Sequence, residues 1–159
     1  MQCNIYSMNC NGIRDAAKRH QLFAWLANKH CNIVFLQETH SIPNDEQNWQ
    51  NEWGGPIFYS HGVNDSRGVA IMFKKHTDFK ILSTFSSNGR ILTLNIEISG
   101  RELFMMNIYA PNKDDLLFFQ NMVNYVIDNE CPNIIMAGDF NLVIDLNMDK
   151  TGGLEKNTF

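Results

Sequence analysis

Four times in this chain a strand-like apolar run empties at once into a cluster of carboxylate, amide or phenol side chains. The clearest case is Asn133-Ile134-Ile135-Met136-Ala137-Gly138-Asp139-Phe140-Asn141. Its apolar run, residues 134–137, follows Pro132 and ends at a glycine, the pattern of a buried strand opening into a loop. Asp139 and Asn141 lie two residues apart, so an extended backbone would point both side chains the same way. Taken alone, Gly-Asp-Phe-Asn reads first as turn chemistry, because Gly, Asp and Asn all favour turns. The remaining runs decide whether it is more.

Residues 3–8 alternate as a strand does, and Asn9-Cys10-Asn11-Gly12 stops them with turn formers. Asn9 and Asn11 repeat the spacing of Asp139 and Asn141. A helix is expected from Asp15, a good N-cap, with Phe23, Leu26, Ala27 and His30 on its apolar face. Residues 33–36 form the next buried strand, which runs into Gln37-Glu38-Thr39-His40. From 41 to 64 the chain is polar; loops, one short helix and a strand over 57–60 are expected there. Further strands follow over 68–73, 79–85 and 91–98, with Lys74 and Lys75 as a solvated strand end. Within 91–98 the residues Leu92, Leu94, Ile96 and Ile98 face inward, and Thr93, Asn95 and Glu97 outward. Residues 103–109 read as a strand buried on both faces, broken by Ala110-Pro111-Asn112 with Tyr109 at its mouth. A second helix is capped by Asp114 or Asp115, with Leu116, Phe119, Val123, Val126 and Ile127 on one face. Strands and helices in this order, without repeat or linker, predict one domain of the α/β or α+β class over residues 1–159.

Composition narrows the chemistry. A net charge of −4 argues against sequence-blind gripping of a polyanion by a basic face. An acidic site that recruits a divalent cation stays open. Cys3, Cys10, Cys31 and Cys131 form no Cys-x-x-Cys pair and have no histidine at zinc-finger spacing. They read as free, mostly buried thiols of a reducing, intracellular compartment, nuclear or cytoplasmic, and no secretory or membrane segment is visible.

If the strands are neighbours, Asn9/Asn11, Glu38, Tyr109/Asn112 and Asp139/Asn141 converge, because ligands gather at strand C-termini in helix-flanked sheets. Two carboxylates, several amides and a phenol suit Mg²⁺ or Mn²⁺ rather than zinc. A carboxylate orients and deprotonates water, while amides and a phenol donate to a developing phosphorane. That is the chemistry of metal-assisted phosphate-ester hydrolysis.

Met8-Asn9-Cys10-Asn11-Gly12-Ile13-Arg14, Leu36-Gln37-Glu38-Thr39-His40, Asn107-Ile108-Tyr109-Ala110-Pro111-Asn112 and Gly138-Asp139-Phe140-Asn141 resemble the endonuclease/exonuclease/phosphatase superfamily. The blocks stand in that family's order and span nearly the whole chain. Lys18-Arg19-His20, Arg67-Gly68-Val69-Ala70-Ile71 and Asp149-Lys150-Thr151-Gly152-Gly153 resemble the apurinic-like endonuclease domain of LINE-type, non-LTR retrotransposon polyproteins. The resemblance implies a four-layered α/β sandwich of the DNase I-like type and Mg²⁺-dependent phosphodiester hydrolysis on DNA. Glu38 would be the principal metal ligand, with Asn9 and Asn11 completing the metal end. Tyr109 would contact the scissile phosphate, Asp139 would align and deprotonate the attacking water, and Asn141 would hold the phosphate. Asn112 would lie near the DNA backbone, with His61 and Arg67 as further DNA contacts.

One departure carries expectations of its own. The family has a further aspartate and a terminal Asp-His pair, whereas this chain ends at Phe159 and its last histidine is His76. The chain is therefore expected to be an incomplete domain, C-terminally short, inactive or impaired alone, with an exposed sheet edge that invites aggregation. Two further readings stand beside the nuclease: a non-catalytic module of the same fold, and a superfamily phosphodiesterase acting on lipid or RNA.

Overall fold

The computed structural model describes residues 3–63, 66–113 and 115–142. The Asp149–Gly153 motif and Asp114 lie outside the described residues. The elements run β1 (Ile5–Asn9), α1 (Ala16–Ala27), β2 (Ile33–Gln37), α2 (Glu46–Trp53), β3 (Ile57–Ser60), β4 (Val69–Phe73), β5 (Lys80–Ser87), β6 (Ile91–Ile98), β7 (Arg101–Tyr109), α3 (Leu116–Ile127) and β8 (Ile134–Asp139). They form two four-stranded sheets, ordered β1-β2-β4-β3 and β5-β6-β7-β8. Each holds one parallel pair, β1 with β2 and β7 with β8, so two strand C-termini open side by side in both sheets.

Strand periodicity sorts the side chains into layers. In β2, Ile33 and Phe35 face a central core that also takes in Val69, Ile71, Phe73, Leu92, Leu94, Ile96 and Met105. Val34 and Leu36 face the other way, onto Phe23 and Leu26 of α1 and Trp49 of α2. In β7 the parity is the same, with Met105 central and Phe104, Met106 and Ile108 under Met122 of α3. Helix, sheet, sheet, helix is the four-layered α/β sandwich. Each large apolar side chain so enclosed contributes about 1.5–3 kcal/mol relative to exposure.

Local chemistry sets the helix ends. Asp15 accepts the Lys18 N–H at 2.8 Å and Asp115 the Phe118 N–H at 2.9 Å, so both helices begin at side-chain caps. Helix α1 stops at Ala27, which leaves His30 beyond it and Ala27 exposed rather than on a buried face. Lys74 is not simply solvated. Its ammonium donates to Ala27 O and Lys29 O, each at 3.2 Å, at the negative end of the helix dipole.

Two apolar faces differ from the sequence reading. Helix α3 turns Met122, with Phe118, Phe119, Tyr125 and Val126, onto the sheet and leaves Leu116, Val123 and Ile127 exposed. A helix apolar nearly all round does not encode which stripe is buried, and the Tyr125 ring against Phe85 at 4.6 Å sets the rotation. Strand β8 is not a buried strand. Among the described residues it is the edge of its sheet, with Ile134 and Met136 41% and 42% exposed and Ile135 and Ala137 packed inward. Thr93 is buried as well, because the outward face of β6 lies in the layer beneath α3 rather than in water.

Candidate active site

The site lies where the parallel pairs of the two sheets end together. Asn9 pairs in register with Gln37, and Tyr109 with Asp139. A buried polar bridge beneath them locks the sheets: Gln37 Nε2 donates to Asn107 Oδ1 at 2.7 Å, and Asn107 Nδ2 donates to Leu36 O and Ala70 O at 2.9 and 2.8 Å. Both amides are buried, and each donor is satisfied, as burial demands. Neither residue was assigned a role from sequence. The available signal was a lone amide inside an otherwise apolar run.

Two mouths use the same turn. Asn9 Oδ1 accepts the Asn11 N–H at 2.9 Å, and Asp139 Oδ1 accepts the Asn141 N–H at 3.0 Å. Asn11 and Asn141 both adopt the left-handed conformation, with φ of 46° and 48°. Asparagine tolerates that region better than most residues, so the turn reading and the site reading describe one device. The expectation that Asp139 and Asn141 point the same way from an extended strand fails here. The positive φ turns Asn141 back, and its Nδ2 donates to Ala110 O at 2.7 Å. Gly138 lets β8 approach, since a methyl group there would collide with the Ile108 carbonyl oxygen.

The carboxylates meet across one amide. Asn9 Nδ2 donates to Glu38 Oε1 and to Asp139 Oδ2, each at 2.9 Å, and so joins the ends of the two sheets. Burial first, and then the neighbouring Glu38 carboxylate, push the Tyr109 phenol up to about 12. It is therefore a proton donor at neutral pH. Burial likewise lifts the Cys10 thiol to about 12, which keeps it from acting as a nucleophile.

For a divalent cation the donors are hard oxygens. Glu38 presents a carboxylate, with Asp139 across the bridging amide, and these fit an ion that keeps most of its water. Asn9 Oδ1 accepts the Asn11 N–H with one lone pair and keeps the other, while its Nδ2 orients both carboxylates. Asn11 is exposed beside them. Among the described residues no group of three or more His, Cys, Asp or Glu side chains gathers into an all-protein cage.

Arg67 and Asn112 share an open groove of about 960 Å³ with Arg90 and Lys113. Arg90 donates to Tyr109 O at 3.0 Å and lies over the Tyr109 ring, so the groove abuts the phenol. Burial, and then the Arg67 charge, lower the affinity of the Arg90 guanidinium for its proton. His61 does not line this groove; its ring nitrogens bond Ser41 Oγ at 2.9 Å and Glu46 Oε1 at 2.8 Å. No helix among the described residues is long and apolar enough to cross a membrane.

Comparison with known proteins extends this geometry. The family model described as Endonuclease/Exonuclease/phosphatase family matches residues 1–147. The chain is 35% identical over 150 residues to the Transposon TX1 uncharacterized 149 kDa protein of Xenopus laevis, covering 91% of this chain and 11% of that protein. It is 23% identical to an exodeoxyribonuclease of Bacillus subtilis (strain 168), covering 92% of this chain and 62% of the relative. The chain thus spans a small part of the first relative and under two thirds of the second. Among solved structures, the endonuclease domain of TRAS1, a telomere-specific non-LTR retrotransposon, superposes with a TM-score of 0.65 at 16% identity, covering 89% of this chain and 62% of that one. An AP endonuclease from Archaeoglobus fulgidus gives 0.66 at 20% identity, covering 89% and 58%.

Proposed function

Since the chain belongs to the Endonuclease/Exonuclease/phosphatase family, we propose that it is the catalytic core of a Mg²⁺-dependent, DNA-nicking phosphodiesterase of the non-LTR retrotransposon kind. The observation that carries this reading is the Asn9 amide shared by Glu38 and Asp139, which brings two carboxylates from different sheets to one point. Mg²⁺, or Mn²⁺ in its place, would be held chiefly by Glu38 and would polarise a phosphoryl oxygen when bound.

This chain's own side chains do the rest. Asp139 is aimed by two donors, Asn141 N–H on one oxygen and Asn9 Nδ2 on the other, which leaves lone pairs to orient and deprotonate a water. Tyr109, protonated at neutral pH, donates to a phosphate oxygen. Asn11 and Asn141 stand at the two turn ends, where amides meet the phosphate. Arg67 and Asn112 line the groove beside Tyr109, where a DNA backbone would run. DNA is the substrate in this reading, in an intracellular setting, and residues 1–159 belong to a single domain of this family.

Turnover by these 159 residues is expected to be slow, because the Asp-His pair implied by the resemblance has no counterpart after His76. The test is nicking of supercoiled plasmid at enzyme excess with and without Mg²⁺. Slow Mg²⁺-dependent nicking that disappears in Asp139→Ala supports the reading. Nicking at ordinary enzyme rates would refute the impairment, and cleavage that persists in Asp139→Ala would refute the site.

A further inference from the structure

The residue after the proposed metal ligand begins a buried chain of hydroxyls. Thr39 Oγ1 and Ser41 Oγ lie 3.0 Å apart, both in fully enclosed surroundings. Ser41 Oγ meets His61 Nδ1 at 2.9 Å, and His61 Nε2 meets Glu46 Oε1 at 2.8 Å. The His61 ring is stacked on Tyr59, 5.2 Å between centroids, and its side chain is 18% exposed.

The Glu46 end gives the chain a direction. A carboxylate only accepts, so His61 Nε2 carries a proton and donates it to Glu46 Oε1. In the neutral ring Nδ1 then holds the lone pair and accepts from Ser41 Oγ. Ser41 Oγ in turn accepts from Thr39 Oγ1, which also takes the Ser41 N–H at 3.3 Å.

This chain braces a loop whose backbone is strained. Glu38 and His40 have φ of 53° and 56°, two left-handed residues flanking Thr39, a conformation costly for side chains of this kind. The main chain is zipped by Thr39 N–H to Gly68 O and His40 N–H to Arg67 O, at 3.0 and 2.8 Å. Gly68 is needed there, since a methyl group on it would collide with Thr39 Oγ1.

We propose that His61 is a positioning residue: it accepts from Ser41 through Nδ1 and so fixes the loop that aims the Glu38 carboxylate at the cation. The proposal rests on the metal-site reading above and replaces DNA contact as the role of His61. Loss of a group bonded directly to a metal ligand typically lowers metal affinity about 10–100-fold, and His61, acting through the loop, is expected at the low end of that range.

The test compares the wild type with His61→Asn, His61→Gln, His61→Ala and Glu38→Gln by Mn²⁺ titration, with DNA affinity measured separately in EDTA. An Asn oxygen sits where Nδ1 was and accepts from Ser41, whereas a Gln amide reaches only toward Glu46. His61→Asn is expected to bind Mn²⁺ within about 3-fold of the wild type, and His61→Gln and His61→Ala about 10-fold or more weakly. DNA affinity in EDTA should not change, and ¹⁵N spectra should show His61 as the Nε2–H tautomer. Unchanged Mn²⁺ affinity with weakened DNA binding in all three variants would restore His61 as a DNA contact and overturn the proposal. Equal losses in all three would reduce its role to packing on Tyr59. If wild type and Glu38→Gln both fail to bind Mn²⁺, the metal reading fails separately. Amide exchange at Thr39 and His40 then decides, since His61→Gln must speed it and His61→Asn must not.

Discussion

Glu38 and Asp139 lie at the same 2.9 Å from the Asn9 amide nitrogen, yet the structures that carry them differ. Glu38 follows β2, an interior strand whose five residues are all buried, flanked by β1 and β4. Around its loop, Gly12 N–H donates to Glu38 O and Ile13 N–H to Thr39 O. Lys18 in turn reaches Asn11 O, and Arg19 reaches Ile13 O and Arg14 O while it pairs with Glu52. Asp139 ends β8, the outer strand of its sheet among the described residues, with exposed apolar side chains on one face and bonds to Asn9 and Asn141 at its tip. One carboxylate is anchored in a framework; the other stands at a margin. Preorganisation thus concentrates on the group assigned to the cation, where a misplaced ligand costs most.

The comparison breaks first on stability. Phe35→Ala, in the centre of β2, is expected to lower unfolding free energy by about 3–5 kcal/mol. Ile134→Ala in β8 is expected to cost only about 1–2 kcal/mol, because 41% of that residue is already in water. Urea melts of both variants check this, and similar losses would mean that β8 is as firmly held as β2.

A smaller effect sharpens the brace itself. Arg19 hydrogen bonding, ahead of the opposing burial cost, holds the Glu52 carboxyl below the ordinary carboxylate range. A depressed folded-state pKa adds stability above the unfolded value, about 4.3, and that stability is lost as pH falls through the folded value. Urea midpoints of the wild type should therefore drop more steeply below about pH 4.3 than those of Glu52→Gln. Parallel acid limbs would mean that the pair contributes nothing to folding.

What was legible in sequence follows the same divide. Aspartate caps at Asp15 and Asp115, the strand over 91–98 and the four polar mouths are local signals, written within a few residues, and the elements and their order emerge from them. The family's ordered blocks supplied the four-layered sandwich. The rotation of α3, the pairing of β8 and the Gln37–Asn107 bridge depend on partners 30 to 70 residues away, and periodicity carries no such information. His61 shows the limit well. A polar loop histidine reads as a surface contact until Ser41 and Glu46 are seen on either side of it.

The central claim is that the strand mouths make one cation-dependent phosphodiesterase site, with Glu38 holding the ion and Asp139 the water. Mn²⁺ binding to the wild type, Glu38→Gln and Asp139→Asn, followed by calorimetry, tests it most directly. The account predicts one site, lost or weakened at least about 10-fold in Glu38→Gln and weakened less in Asp139→Asn. Binding unaffected by Glu38→Gln, or a greater loss in Asp139→Asn, would contradict it.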